Sequence, residues 1–278
     1  MFFKKLLSTL LILFACNIIV NAQDTASNKS SHFKAAVNYL TNSVYNGRKD
    51  SVVLPYITPS IGYYDKSGVY ISGSLSYLAA TNNSRIDVFT IETGYDFTIN
   101  NKLSGGIYAS KYLYNTNSTS VTSQTKGSVG GSLTYDPGIF TLSSGIDVSF
   151  ASKADVNVSA DIAHGFYSGE NGNEWGITPT LSVNLGTQNS YQDYVKKRKS
   201  KGSGNSTVQT KNSSNFALLD YELSLPITYN GNNWGLFLTP TYAIPLNPIS
   251  VANSTGSSYT TEKLENTFFA QLGVYIKF

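Results

Sequence analysis

Cysteine is all but missing from this chain. Its one residue, Cys16, falls in the opening stretch, which reads as a leader. Once the leader is removed no thiol remains, which excludes disulfides and thiol chemistry from the mature protein. Histidine is nearly as scarce, with only His32 and His164. Membrane-embedded hydrolases place a histidine beside a hydroxyl or carboxylates, so this scarcity speaks against an enzyme. His164 also shares parity with Ile162 and Phe166, which sets its ring at an interface rather than in a catalytic centre. Metal-ligand clusters, phosphate-cradling glycine loops and nucleophile elbows are absent from the sequence. No catalytic residue, metal or cofactor is therefore assigned. Charge is thin as well: 13% of residues are Asp, Glu, Lys or Arg, against about 25% in ordinary soluble domains. The 20 lysines and arginines, less Lys4 and Lys5 of the leader, leave 18 against 17 acids. Such a near-neutral balance argues against a nucleic-acid binder. Past the leader no segment approaches the roughly 18 to 20 apolar residues of a membrane helix. What remains is either a soluble β-sandwich or a barrel.

The sequence is rich in Tyr (20 residues) and Gly (23), and it begins with export features. Lys4 and Lys5 form a positive start, Leu6 to Val20 an apolar run, and Val20-Asn21-Ala22 a small-residue cleavage site before Gln23. This is the pattern of a Sec-type signal peptide over residues 1–22. Leu13-Phe14-Ala15 ahead of Cys16 offers a rival lipoprotein reading, but Phe14 fits it poorly. A polar leader over residues 23–32 precedes one β-rich domain, 33–278.

Alternation and turn signals divide that domain into about twelve strands, with ten or fourteen as alternatives. They are Phe33–Tyr45, Val52–Tyr64, Val69–Leu78, Ile86–Ile99, Leu103–Asn115, Thr125–Tyr135, Ile139–Phe150, Asp155–Tyr167, Glu174–Gly186, Asn215–Tyr229, Asn233–Leu246 and Lys263–Phe278. Short turns rich in Asp, Asn, Gly and Pro follow strands two, four, six, eight and ten, whereas the other connections run longer on average, up to 187–214 and 247–262. Transmembrane barrels sort their connections this way, with short periplasmic turns and longer outer loops; a sandwich has no reason to. Aromatics such as Tyr63, Tyr64, Phe97, Tyr135, Phe140, Phe166, Tyr167, Trp175, Tyr229, Trp234 and Phe278 gather beside the short turns, as an interfacial girdle would.

The final strand alternates Phe268, Ala270, Leu272, Val274, Ile276 and Phe278 against Phe269, Gln271, Gly273, Tyr275 and Lys277. With the leader and the terminal Tyr275-Ile276-Lys277-Phe278, the chain resembles the Gram-negative outer-membrane β-barrel superfamily. Its Asn21-Ala22-Gln23 junction resembles uncharacterised barrels of Bacteroidota. The resemblance implies an antiparallel up-and-down transmembrane β-barrel in the cell outer membrane. It implies that Tyr275 and Phe278 belong to a signal read by the barrel assembly machinery, and it transfers no active site.

Parity places Glu92, Asp96, Asp147, Asp161, Asp220 and Glu222 on the lumen face, with Glu92, Asp161 and Glu222 near mid-height. Carboxylate rings favour cations; the alternative is that these acids pair with lumen Lys34, Lys126 or Lys277 and brace the wall. Lys196, Lys197, Arg198, Lys199 and Lys201 crowd one outer loop, where they would meet lipopolysaccharide phosphates, dock a partner, or stand as a solvated tip. Ile57-Thr58-Pro59, Ile177-Thr178-Pro179, Leu238-Thr239-Pro240 and Pro226 place proline inside strands, which predicts a bulge or bend on strands nine to eleven. The expected function is a narrow channel or facilitator for small polar solutes, with cations preferred. The alternative is a non-conducting barrel that docks partners through its outer loops.

Overall fold

A computed structural model describes residues 30–49, 53–80, 83–118, 120–170, 172–191, 193, 210–211, 213–252 and 259–278. The segment read as the signal peptide and the basic run Lys196, Lys197, Arg198, Lys199 and Lys201 lie outside the described residues.

One antiparallel sheet of fifteen segments makes up twelve wall strands and closes on itself. They are β1 (His32–Leu40), β2 (Tyr56–Tyr64), β3 (Val69–Leu78), β4 (Arg85–Asn100), β5 (Leu103–Tyr114), β6 (Gly127–Tyr135), β7 (Thr141–Phe150), β8 (Ala154–Ala163 and Phe166–Glu170), β9 (Asn173–Ile177 and Thr180–Gly186), β10 (Ala217–Ser224 and Ile227–Asn230), β11 (Trp234–Pro245) and β12 (Thr267–Lys277). The seam is β1 on β12, with Lys34 opposite Lys277 and Leu40 opposite Gln271. Phe33 and Phe278 exchange both backbone hydrogen bonds, at 2.8 and 3.0 Å, so the last residue of the chain completes the ladder.

Every strand sends an apolar residue outward: Val37, Ile61, Ile71, Ile91, Ile107, Val129, Leu142, Ile162, Leu181, Leu223, Leu236 and Leu272 are all exposed, one per strand in order. An apolar belt on every side is far larger than the patches a water-soluble surface carries. A closed ladder inside such a belt leaves no unpaired backbone edge for hydrocarbon to meet. The chain is thus a transmembrane β-barrel of the outer-membrane class. Strand β5, whose pattern is ambiguous in the sequence, turns Ile107 and Leu113 outward and Tyr108 and Tyr112 inward.

The girdle forms at the inner end, where Phe33, Tyr63, Tyr135, Phe166, Trp175, Trp234 and Phe278 are exposed and Tyr229 packs between Trp175 and Trp234. Two residues expected there face the other way. Tyr64 stacks between His32 and Tyr70, and Tyr167 lies over Gly176, on the face opposite Trp175.

The connections sort with one exception: residues 151–153, between β7 and β8 at the outer end, form a link as short as the inner turn 231–233. The prolines also act differently from expectation. Strands β8, β9 and β10 are interrupted at His164-Gly165, Thr178-Pro179 and Leu225-Pro226, while β11 runs through Pro240. The same pairing register holds on both sides of each break. The wall is stitched across the breaks by His164 N–H to Pro179 O, Thr178 N–H to Pro226 O and Leu225 N–H to Pro240 O. Each proline lacks a donor but keeps its carbonyl, and that carbonyl accepts from the neighbouring strand. No residue is inserted at these breaks; the register shift between β9 and β10 falls at Asn184/Leu185, away from the prolines.

Candidate functional site: the barrel lumen

Parity set by the outward apolar residues turns all six acids to the lumen. Glu92 and Asp96 stand on β4, Asp147 on β7, Asp161 on β8, and Asp220 and Glu222 on β10. In a ring of twelve, β4 and β10 lie on opposite sides, so carboxylates line both walls. Among the described residues, Glu92, Asp147, Asp161, Asp220 and Glu222 take part in no ion pair. The wall-bracing alternative needs Lys34, Lys126 or Lys277 as partners. Lys34 and Lys277 flank the Tyr275 ring, at 4.6 and 5.8 Å, and Lys126 is exposed at the outer end.

Hydroxyls and an amide take the place of cations. Tyr70 Oη donates to Glu92 Oε1 at 3.0 Å, and Ser110 Oγ donates to Oε2 at 2.8 Å. Tyr108 Oη donates to Asp147 Oδ2 at 2.9 Å, and Ser149 Oγ to Oδ1 at 2.5 Å. Asn184 Nδ2 donates to Asp220 Oδ1 at 2.6 Å. Asp161 and Glu222 flank Ser182, each one ladder step away.

Glycine makes the tyrosine positions available. Gly94 sits in register between Tyr70 and Tyr108, and a Cβ there would fall 2.5 Å from the Tyr70 ring. Gly130, across from Tyr108, would place a Cβ 2.7 Å from that ring. Tyr70 and Tyr108 therefore each lie across a neighbour that has no side chain, and their hydroxyls reach the carboxylates of Glu92 and Asp147 on nearby strands.

The outer mouth is covered. Between β1 and β2 a small hairpin, Val44–Tyr45 with Arg48–Lys49, folds over the lumen. Its tip is Asn46-Gly47, with φ of 49° and 73°, the left-handed pair of a type I′ turn. Gly47 lies against β10 and the end of β11: a Cβ there would be 2.8 Å from Asp220 Cβ and 3.1 Å from Pro245. Burial, followed by the charges of Asp155 on β8 and Asp147 on β7, pushes the Tyr45 phenol well above its ordinary range and keeps it neutral.

Arg48, only 4% exposed, holds this hairpin down. Its Nε donates to Glu262 at 3.1 Å, and its terminal nitrogens donate to the carbonyls of Asn247 at 2.8 Å, Leu246 at 3.2 Å and Asn46 at 3.3 Å. Tyr191 places its ring 5.5 Å from the guanidinium and donates to the other Glu262 oxygen at 2.8 Å. Three outer connections thus meet on one cation. Sequence reasoning marks none of Tyr45, Arg48, Tyr191 or Glu262. Asn46-Gly47 between two β-prone pairs is the available signal.

The two histidines occupy separate places. His32 stacks on Tyr64 at the start of β1, and His164 contacts the Ile139 carbonyl and the Phe166 ring after the first segment of β8.

No protein family matches the sequence, and no curated protein matches it. Among solved structures, the chain is similar to the KdgM porin at 9% identity and a TM-score of 0.48, covering 88% of this chain and 99% of that one. It is similar to the NanC porin at 7% identity and a TM-score of 0.45, covering 88% and 100%. It is also similar to LpxR from Salmonella typhimurium at 8% identity and a TM-score of 0.45, covering 87% and 99%. Likeness at this level carries no assignment of solute or chemistry.

Proposed function

We propose that the barrel is a narrow channel for small polar solutes that prefers cations. One observation carries this reading. Among the described residues, Glu92 on β4 and Asp147 on β7 keep hydroxyl partners and take part in no ion pair, and Glu222 on β10, opposite β4, takes part in none either, so their charge is left to act on what passes. In a bore with low-dielectric walls such charge concentrates counter-ions. Hydroxyl donors hold the carboxylates in place without neutralising them. Lipopolysaccharide around the basic loop, and recognition of Tyr275 and Phe278 during assembly, belong to the same proposal.

Planar-bilayer recording of the purified protein tests it. Discrete open-channel steps with cation selectivity are expected. In the combined variant Glu92→Gln, Asp161→Asn and Glu222→Gln the selectivity should fall toward parity while the steps persist. Absence of current under all voltages and salts would overturn the channel reading. The covered outer mouth favours a second reading, a non-conducting barrel that docks a partner through its loops. Crosslinking of a specific partner through the basic 196–201 loop, together with electrical silence, would establish it.

A further inference from the structure

We propose that the hairpin of residues 44–49 is a hinged lid on the outer mouth and that Arg48 is its latch. The inference rests on the channel reading, since a lid matters to a barrel that conducts.

The root and the tip of this connection are held in different ways. At the root, Leu54, Tyr56 and Leu78 are buried together, with Leu40 and Ala80 against them. Ser43 N–H donates to Leu54 O at 2.9 Å, and Leu54 N–H donates to Asn42 Oδ1 at 2.9 Å, which closes the base. Apolar burial of this kind resists displacement, so the root is a fixed pivot.

The seat of the tip is polar. Asn46 Nδ2 at the tip, Asp220 Oδ2 beside Gly47, and Gln188 Oε1, Ser190 Oγ and Asn247 Nδ2 on the two connections that meet Arg48 are buried without a protein hydrogen-bond partner. A buried polar atom left unpaired is costly, and water reaching it would relieve that cost. Lifting the hairpin therefore hydrates these atoms, and the apolar surface it uncovers is chiefly the Tyr45 ring and Pro245 under Gly47. What opposes lifting is the Arg48 cluster: one carboxylate, the carbonyls of Leu246 and Asn247, and one ring, all on outer connections other than the hairpin's own. Lys49 adds an exposed pair to Glu265 at 3.1 Å, worth little on its own. A fixed root, a polar seat and one concentrated fastening describe a lid.

Asp220 supplies the reporter, because it is fully buried beneath Gly47. The experiment places Asp220→Cys in a chain that also carries Cys16→Ser, and measures the rate of labelling by a charged thiol reagent. Slow labelling is expected with Arg48 present. With Arg48→Ala the rate should rise about tenfold or more, the scale set by losing charge-assisted hydrogen bonds. Glu262→Gln should give a smaller rise, and Arg48→Lys should lie between wild type and Arg48→Ala. Correct folding is read by heat-modifiable migration, and Glu262→Gln carries the test if Arg48→Ala does not fold. Equal labelling rates in all folded variants would overturn the lid. Faster labelling with matching gains in bilayer conductance supports both lid and channel. Faster labelling without current in any variant keeps the lid and removes the channel.

Discussion

At the outer end of the barrel Leu54, Leu78, Leu219 and Ile249 are at most 2% exposed, whereas at the inner end Phe166, Tyr167, Trp175 and Phe278 are each more than half exposed. The buried acids divide in the same way: Asp87, Asp155 and Asp220 are fully buried, all on the outer halves of their strands. The inner turn at Asp65 has no comparable packing around it. The wall needs no core of its own, because its ladder is closed and its outward face is apolar enough for lipid. Side-chain burial is therefore concentrated where outer connections fold over the lumen. A change at the outer end should disturb packing and access together, while a change at the inner end should disturb only local geometry.

The sharpest way to break that contrast is Asp87→Ala. This carboxylate accepts from Tyr56 Oη at 2.6 Å, Arg85 Nε at 2.7 Å and Ser118 Oγ at 2.8 Å, tying three segments at the outer rim. Its removal takes a shared acceptor from a largely buried guanidinium and two hydroxyls. The expected loss is about 3–5 kcal/mol, the usual cost of breaking one side of a buried pair. Denaturant unfolding in detergent or lipid, followed by heat-modifiable migration, measures it. A loss under about 1 kcal/mol would show that the outer packing is not what stabilises this end.

A middle-sized effect is expected at mid-lumen. Gly94→Ala would put a methyl into the Tyr70 ring. Crowding of that kind typically costs about 1–3 kcal/mol. Tyr70→Phe, which removes the hydroxyl alone, should cost about 1 kcal/mol. If both variants unfold like wild type, the tyrosine–glycine arrangement is ornament rather than support. The same two variants in the bilayer separate wall stability from selectivity, since Glu92 keeps its Ser110 partner in each.

How much of this was legible in the sequence follows the same outer–inner division. The wall was readable because a period of two is imposed by lipid on one face and water on the other. Val69–Leu78 matches its strand to the residue, and the lumen side of Glu92, Asp161 and Glu222 follows from parity alone. The environment of those acids was not readable, because Tyr70, Ser110 and Ser182 come from neighbouring strands, and pairing register is a tertiary fact. The cap was hidden for a related reason. The pattern carries strand one on to Tyr45 and restarts at Val52, since Val44-Tyr45 is as β-prone as any wall segment. Only Asn46-Gly47 marks the reversal, and nothing local states that the hairpin folds inward. The prolines predict a bulge or bend on strands nine to eleven; β9 and β10 are broken at Thr178-Pro179 and Leu225-Pro226, Pro240 of β11 keeps its place in the ladder opposite Ala270, and β8 is broken after Ala163, where no proline marks it.

The smallest effect belongs to the inner turn. Asp65 Oδ1 accepts from the Ser67 backbone N–H at 2.9 Å, and its Oδ2 accepts from Ser31 Oγ at 2.8 Å and Tyr63 Oη at 3.3 Å. The Ser67 bonds, then Ser31, hold its carboxyl well below the usual carboxylate range. A group whose folded pKa is depressed lends stability above its unfolded value, near 4, and loses it as pH falls through the lower folded value. Nothing should therefore change between pH 7 and about 5, and the turn should loosen only on further acidification. The amide shift of Ser67, followed by NMR from pH 7 downward, should move only at the acid end. In Asp65→Asn that movement should vanish while the unfolding midpoint stays near wild type, because the carboxylate is fully solvated and its partners find water. A midpoint shift in Asp65→Asn as large as that of Asp87→Ala would mean that the inner end is packed after all, and that the division between a fastened outer mouth and an open inner one is wrong.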